Sequence, residues 1–308
     1  MLSRVAESLF WIGRYLERAD GTARLLDIHT QLILEDPGID EAEACRTLLY
    51  ILGTPAEPDE VLSTDQVLDH LATDVDNAPS IAACLMAARE NGRRAREIIS
   101  AELWECLNTI SRALPCTLAA SGVHAFFSEV RQEVAMALGI ADTTMSRDEA
   151  YQFFILGVSL ERADMTARLL ATRALSGAQS PSWITLLRCA GAYHACLRAY
   201  RGMPLAHDAA EFLLLDRLFP RSVMASMNRA LEAVATLDPP TGRSNVTGAQ
   251  RLLGQIVSTL GYLSIGELMS DLAQRMDRIQ VAINDASEAI RQRYFPTELV
   301  PNWVGEKT

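Results

Sequence analysis

Two stretches of this chain place carboxylates and guanidinium groups at matched helical spacings. Leu16-Glu17-Arg18-Ala19-Asp20 is followed by Arg24, and Leu160-Glu161-Arg162-Ala163-Asp164 by Arg168. Carboxylates beside arginines can serve general acid–base work while holding an anionic substrate. They can equally form buried inter-helix ion pairs that fix the register of two helices. Glu17-xx-Asp20, Glu161-xx-Asp164 and Glu102-xx-Glu105 also have the oxygen-only character that magnesium prefers. Each lies beside arginines that would neutralise it, so no metal is expected. The structural role in an ion-pair network is the first expectation for Glu17, Asp20, Arg24, Glu161, Asp164 and Arg168.

A second candidate is the basic segment Ala88-Arg89-Glu90-Asn91-Gly92-Arg93-Arg94-Ala95-Arg96-Glu97. Arginine binds phosphate or carboxylate bidentately, so Arg93 and Arg96 are candidate anion-binding residues for a nucleotide or a peptide terminus. A solvated helix face laced with Glu–Arg pairs is the competing reading. The five histidines, His29, His70, His124, His194 and His207, lack the spacing of a di-iron or zinc site. No glycine-rich phosphate loop, GxSxG elbow or Cys–His pairing is present, so no nucleophile and no cofactor is identified.

The elements that carry these residues are helices. Phe10 to Leu26 and Phe154 to Leu170 match without a gap at 12 of 17 positions, including Gly13/Gly157, Glu17/Glu161, Arg18/Arg162, Asp20/Asp164 and Arg24/Arg168. A duplication explains charged residues and glycine recurring in register. At about 100° per residue, Leu9, Ile12, Leu16, Ala19, Ala23 and Leu26 form an apolar face. Phe10, Gly13, Glu17, Asp20 and Arg24 form a stripe on its edge. Arg18 and Arg162 fall off that line and are expected to point toward another helix or solvent. If the two copies pack about a pseudo-twofold axis, the two stripes meet in one polar seam, with glycine allowing close backbone approach.

Periodicity and breakers predict helices at about 3–33, 78–112, 146–176, 181–201, 221–237 and 244–289, with shorter ones near 41–52, 64–73, 121–138 and 206–217. Ser146 and Ser180-Pro181 read as helix starts. The expected fold is all-α: one helical bundle of about ten helices over 1–308 with an internal pseudo-twofold repeat. Two intimately packed halves, about 1–140 and 141–290, are followed by an extended tail, 291–308, docked on the body.

Composition agrees. Of the 308 residues, 49% are hydrophobic, 22% charged and only 6% aromatic, a helical, globular balance. A net charge of −11 repels phosphate backbones and makes nucleic acid an unlikely partner. No export signal or membrane-length apolar run is read. The six cysteines have no CxxC pairing and are expected to be buried free thiols in a reducing cytoplasm.

On Tyr15-Leu16-Glu17-Arg18-Ala19-Asp20 and Ser159-Leu160-Glu161-Arg162-Ala163-Asp164, the chain resembles the bacterial Alpha-E family, an all-helical domain named for its Glu-Arg motif. Met1-Leu2-Ser3-Arg4 through Arg24, Ala88 through Arg96 with Glu102-Leu103-Trp104, and Phe219-Pro220-Arg221-Ser222-Val223 match it in order, over nearly the whole chain. Gly92, where such sequences tend to have alanine, is a departure; between the two copies, Gly21 stands against Met165. The resemblance carries over Glu17, Arg18, Glu161 and Arg162 as motif residues. It implies association with circularly permuted ATP-grasp ligases and transglutaminase-like peptidases, hence with amide bonds in a peptide or protein tag. Two functions remain open: a non-catalytic partner subunit of such a system, or an enzyme using the Glu/Asp/Arg seam on a peptide or nucleotide. Neither oligomeric state nor substrate is legible.

Overall fold

The computed structural model describes residues 1–35, 38–54, 56–57, 62–115, 117–118, 122–175, 182–239 and 246–296. All regular structure among them is helical. In chain order the α-helices are α1 (Ser3–Glu35), α2 (Glu41–Leu52), α3 (Thr64–Leu68), α4 (Ile81–Arg94), α5 (Ala101–Arg112), α6 (Val123–Thr144) and α7 (Glu149–Leu175). They continue as α8 (Trp183–Cys189), α9 (Tyr193–Tyr200), α10 (Ala206–Leu215), α11 (Val223–Leu237), α12 (Gly248–Tyr262), α13 (Ile265–Ser270) and α14 (Leu272–Tyr294). A π-helical turn, Asp69–Thr73, extends α3.

Among the described residues fourteen helices replace the ten or so expected, because serine caps, one left-handed glycine and a non-helical aspartate cut the long periodic runs. The run 78–112 divides into α4 and α5 where the Ser100 hydroxyl accepts the Leu103 amide and restarts the helix. The run 181–201 breaks at Gly191, whose φ of 65° suits glycine alone without strain. The run 244–289 breaks twice, at Ser264, which forms a capping box with Glu267, and at Asp271, whose non-helical φ of −133° separates α13 from α14. Apolar periodicity continues through such breaks because both helices face the same core. Of the two expected starts, Ser146 gives way to Asp148, whose carboxylate accepts the Ala150 and Tyr151 amides. Ser180-Pro181 lies outside the described residues, and the Ser182 hydroxyl caps α8.

α1 and α7 form the centre. They run side by side in the same direction and in register: Gly13 meets Phe154 and Val158, and Gly21 meets Met165. α4 and α6 cover α1, while α11 and α14 cover α7. The buried apolar side chains join in one continuous cluster from Ala6 to Phe295. Leu16 and Leu160 are fully buried within it, where truncation to alanine costs about 2–5 kcal/mol. Cys45, Cys84, Cys106, Cys189 and Cys196 are buried free thiols; Cys116 lies outside the described residues.

The expected extended tail begins later than its composition predicts. Residues 291–294 complete α14, and Phe295 is buried against Phe10 and Phe153 at ring separations of 5.7 and 5.6 Å. Positions 297–308 lie outside the described residues. Among the described residues no helix is long and apolar enough to cross a membrane.

Candidate functional site

The closest approach of α1 and α7 is backbone to backbone. A Cβ at Gly13 would sit 2.9 Å from the Val158 amide nitrogen and closer still to the Phe154 carbonyl; one at Gly157 would collide reciprocally with the Phe10 carbonyl. Only glycine permits this separation. It brings the next turn of each helix within side-chain reach of the other.

There the two Glu-Arg motifs interlock. Arg18 donates to both oxygens of Glu161, Nε to Oε1 at 2.6 Å and Nη2 to Oε2 at 3.0 Å. Arg162 donates to Oε1 of Glu17, from Nε at 2.7 Å and also through Nη2. This corrects the expectation that Arg18 and Arg162 point away from the seam. The helical wheel places each Cα beside the stripe, but a long guanidinium side chain at a close crossing spans the gap to the facing helix. The expected i,i+4 pairs also form, Arg24 to Asp20 and Arg168 to Asp164, each at 2.8 Å. Arg24 and Arg168 then lean outward, Arg168 to the Ile51 carbonyl at the end of α2 and Arg24 beside Gly191.

Two further arginines complete the network, and sequence reasoning missed both. Arg14 donates Nε to Oε2 of Glu161 at 2.6 Å and Nη1 to Ser287 on α14 at 3.1 Å. Arg221, in the turn before α11, reaches Glu17 at 2.9 Å and Asp20 at 2.7 Å. The signals available were Arg14 beside Gly13 and an arginine in Phe-Pro-Arg-Ser just ahead of a serine cap.

The two carboxylate pairs are not equivalent. Glu17, Asp20 and Glu161 are 2% exposed, and each is held by two arginines. Burial pushes the Glu161 carboxyl up, but Arg14 and Arg18 outweigh it and hold it down at about 2. The Asp20 carboxyl, likewise opposed by burial, is lowered by Arg221 and Arg24. Among the described residues Asp164, also buried, forms an ion pair with Arg168 alone, and its Oδ1 has no hydrogen-bond partner. Burial therefore raises the Asp164 carboxyl, with Arg168 opposing and the nearby Glu161 charge adding to the rise. Thr22 and Thr166 differ in the opposite sense: Thr166 Oγ1 donates to the Arg221 carbonyl at 2.8 Å, whereas Thr22 Oγ1 is buried without a partner among the described residues. The Arg221 guanidinium serves the first copy and its backbone carbonyl the second.

The basic segment is divided between the two readings. Arg93 is bidentate on Glu90, at 2.9 and 2.7 Å, and Arg94 joins the same carboxylate at 3.3 Å, as a laced helix face would have it. Arg96 lies past the end of α4, its guanidinium 5.5 Å from the Trp104 ring. Gly92 has a packing reason: a Cβ there would stand 2.8 Å from Leu107 on α5. Glu102 and Glu105 are exposed on α5. Among the described residues no three His, Cys, Asp or Glu side chains group as metal ligands.

A family profile described as Alpha-E, "a predicted alpha-helical domain with a conserved ER motif", matches residues 1–295. Uncharacterised proteins of Mycobacterium bovis and of two strains of Mycobacterium tuberculosis are 23% identical over 339 positions, covering 97% of this chain. The chain spans 38% of the length of each of these relatives. No solved structure matches it.

Proposed function

The chain belongs to the Alpha-E family, and on that premise we propose that it is a non-catalytic helical partner subunit in a bacterial system that forms or processes amide bonds. Its partners in this reading are the circularly permuted ATP-grasp and transglutaminase-like proteins that the family resemblance implies. The observation that carries the proposal is the closed seam: Glu17, Asp20 and Glu161 are buried and each is committed to two arginines. A catalytic carboxylate must reach substrate and exchange a proton near working pH. A carboxyl held at about 2 beneath two guanidiniums does neither.

The identity of 12 in 17 positions, the parallel register of α1 and α7, and the reciprocal Gly13 and Gly157 contacts support a duplicated, pseudo-twofold core. In this reading one domain comprises both halves, and the seam sets their register. In the mycobacterial relatives the matching segment is 38% of a longer chain, an arrangement suited to a module that works beside another. Five buried free thiols support a cytoplasmic setting.

One observation favours the enzyme alternative, the unpaired Oδ1 and raised carboxyl of Asp164. Asp164→Asn separates the two. The variant is purified with the neighbouring ATP-grasp protein and ATP turnover of the pair is measured. A partner subunit retains full turnover, whereas collapse of turnover in a folded, bound variant overturns the scaffold reading.

A further inference from the structure

Away from the seam, the first turns of α1 and the end of α4 enclose a groove of about 720 Å³. Its walls carry Arg4, Arg93, Arg94 and Arg96 together with Trp11 and Tyr15. Glu7 and Glu97 also line it, so the lining holds four arginines against two glutamates in a chain whose net charge is −11. The groove is therefore a cationic concavity on an acidic protein.

The four arginines fall into two pairs. Arg93 and Arg94 are engaged with Glu90. Arg4 and Arg96 form no ion pair among the described residues, and the Arg96 guanidinium lies 5.5 Å from the Trp104 ring. A cation–ring contact leaves guanidinium N–H donors unspent. These two side chains come from different elements, α1 and the turn after α4, so an anion between them would be held from two sides.

The α1 wall that carries Arg4 is also aromatic. Trp11 and Tyr15 stack at 5.3 Å with an interplanar angle of 27°, and both remain partly exposed. Such a pair offers a flat apolar surface of the kind on which a ring packs. The volume lies in the range of small-molecule sites and far exceeds what a lone phosphate or carboxylate would fill. We propose that this groove binds a nucleoside phosphate, its phosphates between Arg4 and Arg96 and its base against Trp11 and Tyr15. Tyr15 also lies in the field of Arg18, Arg14 and Glu161, so the ligand would sit one turn from the interlocked Glu-Arg motif.

The proposal does not rest on the partner reading and is tested on the chain alone. Isothermal titration uses ATP as probe at low salt, with adenosine and pyrophosphate as separate arms. The expected result is saturable binding with a Kd of about 100 µM or tighter, accompanied by a tryptophan fluorescence change that Trp11→Phe removes. Arg4→Gln and Arg96→Gln, both at exposed positions, each weaken ATP binding by about tenfold with helicity unchanged. Arg229→Gln, which removes the pair with Glu232 and the Arg229 contacts with Tyr151 and Asp142, all outside the groove lining, leaves it within about twofold. Absence of saturable binding at about 5 mM ATP, or undiminished binding by the Arg4→Gln, Arg96→Gln double variant, overturns the proposal. Pyrophosphate binding as tightly as ATP overturns the ring subsite.

Discussion

Gly13→Ala sets two effects of opposite sign against each other. In an isolated helix the substitution favours folding by about 1 kcal/mol, because alanine is the better helix former. In this structure the new Cβ would lie 2.9 Å from the Val158 amide nitrogen and 3.1 Å from Val158 Cγ2, with the Phe154 carbonyl nearer still. Ordinary contact begins at 3.4 Å, so α7 must retreat by at least 0.5 Å at Val158 and by more at the carbonyl. The obstacle is backbone, which no rotamer change relieves. Overpacking of this kind costs about 1–3 kcal/mol, and the upper end applies where nothing can yield. Retreat also lengthens the Arg18–Glu161 and Arg162–Glu17 bonds, now at 2.6 and 2.7 Å, weakening a buried pair whose loss costs about 3–5 kcal/mol. The net expectation is destabilisation by about 2–4 kcal/mol and a melting temperature lower by about 3–6 °C. Urea and thermal denaturation followed by circular dichroism measure it, with Gly157→Ala as the matched partner. A Gly13→Ala protein as stable as wild type, or more so, would show that α1 and α7 do not touch as described, and the account of the seam would fall with it.

Glu161→Gln leaves Arg14 and Arg18 without their counter-charge and should destabilise by about 3–5 kcal/mol; Glu288→Gln, which alters only exposed contacts with Arg291 and Gln292, should leave the urea midpoint unchanged. Because the Glu161 carboxyl is held at about 2, below its ordinary 4.5, its contribution is complete above pH 4.5 and is lost as pH falls toward 2. Asp164 has the opposite sign: its carboxyl is raised above 3.8, so ionising it opposes folding at neutral pH. Asp164→Asn should therefore hold or raise stability at pH 7, with the gain vanishing below pH 3.8, and a clear loss at pH 7 would show that the charge is needed. His29 is buried and held down at about 4 by burial, with the Glu41 charge opposing. Its unfolded form binds the extra proton first, so wild type should lose on the order of 3 kcal/mol as pH falls from 6.5 to 4. Paired denaturation series on wild type and His29→Leu should show that loss flattened in the variant.

How much of this was legible in the chain divides along the range of the interactions. The all-helical class, the repeat and the i,i+4 pairs Asp20–Arg24 and Asp164–Arg168 follow from spacing, because neighbours one turn apart meet in any helix. The glycines at Gly13 and Gly157 allowed a close backbone approach, but which helix makes it came from the packing of α1 on α7. Helix boundaries were harder, because Ser100, Gly191 and Ser264 interrupt runs whose apolar faces continue on the far side of the break.

The repeated Leu-Glu-Arg-Ala-Asp sequence determined that two similar helices exist and that each carries a charged edge. Tertiary structure alone decided which guanidinium meets which carboxylate. Arg18 and Arg162 leave their own helices to hold the other's glutamate, Arg14 reaches Glu161, and Arg221 arrives from more than two hundred positions along the chain to hold Glu17 and Asp20. No spacing rule reaches that far, since the partners are set by the angle and separation of packed helices. The same packing leaves Asp164 with one arginine where Asp20 has two. Two copies of one motif thereby acquire different electrostatic environments, because the segments that cover them differ.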